Sequence, residues 1–450
     1  PETLSGHDLS AVRRRTTAVL VASQVLGGLG VATAIALAAV LAEEISGSSA
    51  LAGLATTSSV IGTALLSLPL ASLMAARGRR AGLTLAYLLG AAGGAVVVLA
   101  ATVGSFPLLL AGMALFGAGS SANLQARFAA ADLAEPAHRA RAISLVVWAT
   151  TVGAVTGPNI AAPAGRSARE LGLPEAAGPF VWGTLIFLLA AGLVWALLRP
   201  DPLLTARALA GEAGGGNRED RSIRAALAAV AASPRARLAL VTLTGVHTAM
   251  VSVMVMTPID LHHHGADLQL VGLVISGHIA GMYAFSPLLG WLADRLGRLG
   301  VIGLAVALTG GATALAGTAG GHHGQSAAGL FLLGLGWSAG MVACSALLTD
   351  SVPQPSRAGV QGLSDLSMNA AAGAGGALSG LVVAQAGYGW LNALAAALLL
   401  PVAALVLLDV LGRRAAGRAA GREPGAPDAE AGAPDTPGPD APAFEAGQRG

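Results

Sequence analysis

Lysine is absent from this 450-residue chain, so all 26 basic side chains are arginine. A single cysteine, Cys344, excludes an intrachain disulfide. Aromatic residues make up only 4%, eight Phe, six Trp and three Tyr, which argues against an extensive aromatic cage. Charged residues make up 11% against 54% hydrophobic, a balance that excludes an ordinary soluble enzyme. No nucleophile–base pair or cofactor fingerprint stands out, so the reading is of a non-enzyme without a bound cofactor.

What the chain has instead is long apolar runs. A helix needs about 20 apolar residues to span the hydrocarbon core. Twelve stretches of that kind begin near residues 16, 50, 81, 105, 140, 177, 236, 268, 299, 325, 358 and 388. They predict an all-α membrane protein with twelve transmembrane helices. The first apolar run reads as a spanning helix rather than a removed signal peptide. Arginine clusters fall in alternate connections: Arg13–Arg15, Arg77 to Arg80, Arg139 and Arg141, Arg199 to Arg237, Arg295 and Arg298, Arg357, and after Arg413. The opposite connections carry only Arg166 and Arg169. By the positive-inside rule, both termini are expected in the cytoplasm and the protein in the cytoplasmic (inner) membrane.

The chain repeats itself weakly. Asp132 precedes Arg139 as Asp350 precedes Arg357, and Gly78-Arg79 returns as Gly297-Arg298, at offsets of 218 and 219. Such a repeat predicts two six-helix pseudo-symmetric bundles related by an axis along the membrane normal. The expected divisions are a cytoplasmic N-terminus over 1–15, bundles over 16–199 and 235–410, a cytoplasmic linker over 200–234 and a disordered tail over 411–450. A short surface helix is expected around Ile223 to Val230.

The run Gly290-Trp-Leu-Ala-Asp294-Arg295-Leu-Gly297-Arg298 resembles the loop signature of the major facilitator superfamily, G-x-x-x-D-R-x-G-R. The resemblance implies that fold, alternating access, and a gating role for Gly290, Asp294 and Arg298. The first-half copy is worn, with Ala71 and Ala75 at the places of Gly290 and Asp294. Gating is therefore expected to depend more on the C-terminal copy. Gly153-x-x-x-Gly157-Pro158 resembles the antiporter motif of drug exporters, but Ala161 and Ala162 replace its last two glycines. Met113 stands about where proton-coupled exporters carry an arginine.

Six of the eight methionines lie in the second half, and Met250-x-x-x-Met254 is followed by His278-x-x-x-Met282. Residues four apart share a helix face, and thioether with imidazole suits Cu(I). The pattern resembles the CcoA-like copper-importer branch of the superfamily. It implies copper import, with Met250, Met254, His278 and Met282 as metal ligands and His247 as a further donor. Shifted by 218, the four positions hold Ala32, Ala36, Val60 and Ala64, so the pattern is not a scaffold repeat. His262–His264 in the outer loop is a weaker candidate for collecting metal.

Polar side chains inside spans are costly. Asp365 and Asn369 on span eleven, and Asn123 and Arg127 on span four, are candidates for coupling to protons. For Asp365 a structural partnership with Arg357 competes. The rival reading is a carrier of a small organic solute, a vitamin such as riboflavin or an expelled drug, with Trp148, Tyr283 and Trp337 as contacts. The expected partners are copper or that solute, the lipid bilayer and possible coupling protons. No nucleic acid is expected, and the protein is expected to be a monomer.

Overall fold

A backbone crossing hydrocarbon must satisfy its own N–H and C=O groups, which leaves helices or closed barrels. This chain uses helices. The computed structural model describes residues 6–48, 51, 53–211, 223–266 and 268–407, and among them no strand occurs. Among the described residues twelve helical segments are long and apolar enough to cross a membrane, which makes this a multi-pass membrane protein. The triglycine run 214–216, Asp267 and the tail over 411–450 lie outside the described residues.

The first six spans are α1 (Gly6–Ser46), α2 (Gly53–Arg77), α3 (Arg79–Val103), α4 (Phe106–Asp132), α5 (Arg139–Glu170) and α6 (Gly178–Leu197). Two short helices follow, α7 (Pro202–Leu209) and α8 (Ile223–Ala232). The second set comprises α9 (Pro234–His263), α10 (Leu268–Tyr283) with α11 (Ser286–Leu296), α12 (Arg298–Gly317), α13 (His323–Asp350), α14 (Arg357–Ala386) and α15 (Tyr388–Ala397). The eighth span is thus two helices. Pro287 explains the break: lacking an N–H, it is tolerated in the first turn of α11 but would interrupt a continuous helix.

Each bundle has its own core. In the first, Phe116, Phe180 and Phe187 pack with Tyr87, ring centres 5.0–5.9 Å apart. The second centres on α13, whose residues Gly336 to Thr349 are all buried. The bundles meet through α2 against α14 and α5 against α11. Small residues make those contacts close. A Cβ on Gly290 would lie 2.1 Å from Ser144 Oγ, so α11 approaches α5 only with glycine there. Within the first bundle, Gly153 of the antiporter-like motif does the same for α5 against α1, since a Cβ would lie 2.4 Å from Leu29 N.

Burial along α14 is uneven. Ala358 to Asp365, at the arginine-rich end, are all buried, whereas Ala370, Gly373, Ala374, Ala377 and Leu378 are exposed. The contact between α14 and the first bundle is therefore enclosed at the arginine-rich end, while one face of α14 is open towards the other.

Candidate substrate cavity and gate

At the arginine-rich end the worn and intact motif copies are both occupied by ionic contacts. Asp294 sits at the end of α11 beside the first turn of α5, where backbone N–H groups lack intrahelical partners. Its carboxylate accepts from Ala140 N at 3.1 Å and Arg141 N at 3.0 Å, and from Arg298 Nη1 at 2.5 Å. Anions are favoured at helix N-termini, so Asp294 ties the second bundle to the first. Arg298 adds Pro136 O at 2.6 Å and Asp350 at 3.4 Å, and Asp350 also pairs with Arg139. Gly290, Asp294 and Arg298 thus all lie on the interface between bundles.

The first-half counterpart is buried more deeply. Arg79 holds Asp132 at 2.7 Å, with the two side chains 0% and 1% exposed. Arg79 also donates to Gln125 Oε1 at 3.1 Å and, across the interface, to Gln361 Oε1 at 2.5 Å. One step further from the end, Arg127 Nη2 meets Asp365 Oδ1 at 2.7 Å, and Gln125 Nε2 donates to Asp365 Oδ2 at 2.7 Å. Arg127 Nε donates to Ser345 Oγ at 3.0 Å and Nη1 to Leu124 O at 2.7 Å. Removing a buried charge from water costs several kcal/mol, which only a close counter-charge and further hydrogen bonds offset. Arg79, Arg127 and Asp365 each have both, while Asp132 has two bonds from Arg79. The partner of Asp365 is Arg127, not Arg357 as the sequence allowed; Arg357 Nη1 donates to Gln354 Oε1 at 2.7 Å.

Next to Arg127 lies a cavity of about 330 Å³ between the bundles. Gln24, Asn123, Thr150 and Val60 line it from the first bundle; His247, Met282, Tyr283, Trp337, Met341 and Asn369 line it from the second. The Trp337 and Tyr283 rings are 5.5 Å apart and edge-to-face, and Trp337 Nε1 donates to His247 Nδ1 at 2.7 Å. An indole nitrogen can only donate, so His247 Nδ1 is the acceptor and the neutral ring carries its proton on Nε2. Asn369 lines the cavity while its Nδ2 donates to Asp365 O at 2.8 Å.

Of the five residues expected to hold a metal, His247 and Met282 line the cavity and Met250, Met254 and His278 do not. Met250 is buried in the second core, and Met254 packs against that core. His278 is fully buried, with Nδ1 donating to Leu330 O at 2.8 Å and Nε2 without a hydrogen-bond partner. Four-residue spacing puts side chains on one helix face but does not say which face meets the cavity. Met341 joins Met282 there through α13. Among the described residues no cluster of three or more His, Cys, Asp or Glu could hold a metal. Trp148 lies outside the cavity lining, at 38% exposure. His262 to His264 are exposed at the end of α9, and His264 lies 3.6 Å from Asp260. The four coupling candidates lie close together: Asn123, Arg127 and Asn369 line the cavity, and Asp365 pairs with Arg127. Sequence reasoning missed Gln24, Thr150 and the role of Arg79, although Arg79 was visible as a repeat landmark.

Comparison with known proteins agrees with this geometry. The chain is 37% identical over 404 residues to the uncharacterized MFS-type transporter YdeG of Bacillus subtilis, covering 88% of this chain and 91% of the relative. It is 28% identical over 402 residues to the riboflavin transporter RfnT of Brucella anthropi, covering 88% and 95%. In fold it matches the transporter FucP in its outward conformation, with a TM-score of 0.63 at 17% identity over 87% of this chain and 98% of that one. A bacterial homologue of the iron transporter ferroportin, outward-facing, gives 0.66 at 16% identity over 87% and 98%. These relatives do not carry the copper-importer resemblance further. The sequence profile of the Major Facilitator Superfamily matches residues 20–262 and 238–443, and the chain belongs to that family.

Proposed function

We propose that this chain imports a small organic solute across the cytoplasmic membrane by alternating access, acting as a monomer with both termini in the cytoplasm. The observation that carries this is the cavity between the bundles, closed on the arginine-rich side by a buried ion pair contributed by both of them. Positive-inside topology makes that side cytoplasmic, so the cavity faces outward in this state. Trp337 and Tyr283 supply flat apolar surface, and Asn123, Gln24 and His247 supply orienting polar groups, the composition usual for small-molecule sites. Riboflavin is the solute to test first, on the strength of the Brucella anthropi relative.

Asp365 is the proposed coupling residue. Protonating it would remove the charge that neutralises Arg127 and loosen the closed end, which would link proton entry to the change of access.

Copper is the second reading, favoured by one observation: Met282, Met341 and His247 share one cavity. The bond from Trp337 weakens it, because the His247 lone pair a metal would need is already engaged. Uptake of labelled riboflavin and of copper would be compared in cells lacking carriers for each, at matched expression. Riboflavin accumulation lost in Trp337→Ala supports the main reading. Copper accumulation lost in Met282→Ala would replace it.

A further inference from the structure

The polar atoms of the cavity wall are not all satisfied, and the pattern of what is left over has a chemical meaning. Gln24 is 5% exposed and lines the cavity from α1. Its Nε2 donates to Thr150 Oγ1 at 2.8 Å, while its Oε1 has no hydrogen-bond partner. A buried carbonyl in that condition is an acceptor waiting for a donor. Asn123 is engaged on its oxygen side: its Oδ1 lies 3.0 Å from the Tyr87 hydroxyl, whose single proton it shares with Ser23 O at 3.1 Å, and its amide N–H groups have no protein acceptor among the described residues. His247 likewise keeps only an N–H, on Nε2, because Trp337 engages its lone pair. Among the described residues Arg127 is the one charged side chain in the lining; Asp365 neutralises it, and three of its five N–H donors go to Asp365, Ser345 and Leu124.

We propose that the cavity selects an uncharged planar heterocycle by an amide-type edge, whose N–H donates to Gln24 Oε1 and whose carbonyl accepts from Asn123 or His247. This rests on the reading of the cavity as the solute site. Gln24 and Asn123 belong to the first bundle and His247 to the second, so an edge held by Gln24 and His247 ties both bundles together. A solute carrying a net charge meets no free counter-charge in the wall and is rejected by desolvation. A site built to hydrogen-bond a solute rejects strongly an analogue that leaves its polar groups unpaired.

Val60 lines the same cavity, and native Cys344 is fully buried, so a Val60→Cys variant carries one accessible thiol. Protection of that thiol from N-ethylmaleimide would be measured on the purified full chain with matched pairs: nicotinamide and nicotinate, uracil and orotate, riboflavin and riboflavin 5′-phosphate. The expected result is protection by at least one neutral member at a concentration roughly tenfold or more below its charged mate. Adding Gln24→Met, similar in size, should weaken that protection by roughly tenfold or more. Charged members protecting as well as neutral ones would overturn the proposal and leave the cavity reading standing. Unchanged protection in a folded Gln24→Met variant would overturn the assigned edge. Protection by no member would overturn both readings. If Gln24→Met does not fold, the neutral–charged pairs on the Val60→Cys protein still decide.

Discussion

The two copies of the repeat hold an arginine against an aspartate at the same end of the molecule, but in different surroundings. In the first, Arg79 and Asp132 are fully enclosed at 2.7 Å. In the second, Arg298 divides itself between Asp294 and Asp350, and Asp350 is 26% exposed. Asp294 reaches the first turn of the opposite bundle; its counterpart, Ala75, has no carboxylate to reciprocate. The linker stands in. Arg207 of α7 donates to Ala75 O at 2.7 Å, and Asp201 accepts from Arg80 N at 2.7 Å while capping α7 through Leu203 N and Leu204 N. One copy is therefore a permanent joint, and the other, with Asp294 nearly buried and Asp350 partly exposed, is a contact divided between two carboxylates and suited to breaking and re-forming.

That contrast can be broken at its strong end first. Arg79→Ala leaves Asp132 charged and unpaired in a dry site, a loss of about 3–5 kcal/mol. Folded yield and thermal midpoint should fall sharply, and a merely slowed but stable transporter would contradict the permanent-joint description. Asp294→Ala removes the acceptor at the α5 N-terminus, where such contacts contribute about 0.5–2 kcal/mol. Stability should change little, while labelling of a cysteine placed near the arginine-rich end should rise severalfold. Equal labelling would show that Asp294 does not hold that end closed. Asp201→Ala removes an N-cap and the tie to Arg80, and about 1 kcal/mol is expected by thermal unfolding; an effect as large as that of Arg79→Ala would make the linker an equal partner.

The smallest effect is expected from Glu135→Gln. Its hydrogen bond from Arg13, at 2.5 Å, holds the Glu135 carboxyl below its ordinary 4.5, helped by the nearby charge of Arg13. A depressed folded value means that the contribution is present above the unfolded value and lost as pH falls through the depressed one. Wild type and variant should therefore unfold alike at the acid extreme and differ slightly near neutral pH. A gap that widened on acidification would reverse the assigned sign.

How far these features were legible follows from what each depends on. Long apolar runs fix spans because hydrocarbon thickness is a fixed length, and all twelve were countable. The signature from Gly290 to Arg298 was readable for the same reason that it works, a fixed spacing around one turn. Its receiving groups, Ala140 N and Arg141 N, carry no side-chain signal and became visible only in the fold. Asp365 and Arg127 were each conspicuous as intramembrane charges, but their pairing depends on which helices face each other across the bundles. The methionine pattern shows the limit most clearly. Spacing gave a common face for Met250 and Met254, while the rotation of α9 turned Met250 into the core and left His247 at the cavity. Gln24 gave no sign in sequence, since a glutamine in an apolar run is informative only once its unpartnered atom is known.

If Asp365 is the coupling residue proposed above, its pair with Arg127 also sets how the protein answers to membrane voltage. While intact it presents no net charge to the field, so an uncharged solute would cross without electrical work beyond that of any accompanying ion. A step that neutralised Asp365 alone would leave one uncompensated positive charge inside the bilayer. Carrying such a charge through the whole potential is worth about 2.3 kcal/mol per 100 mV, and a partial displacement proportionally less. The steepness of uptake against voltage would then measure how far Arg127 travels during the change of access.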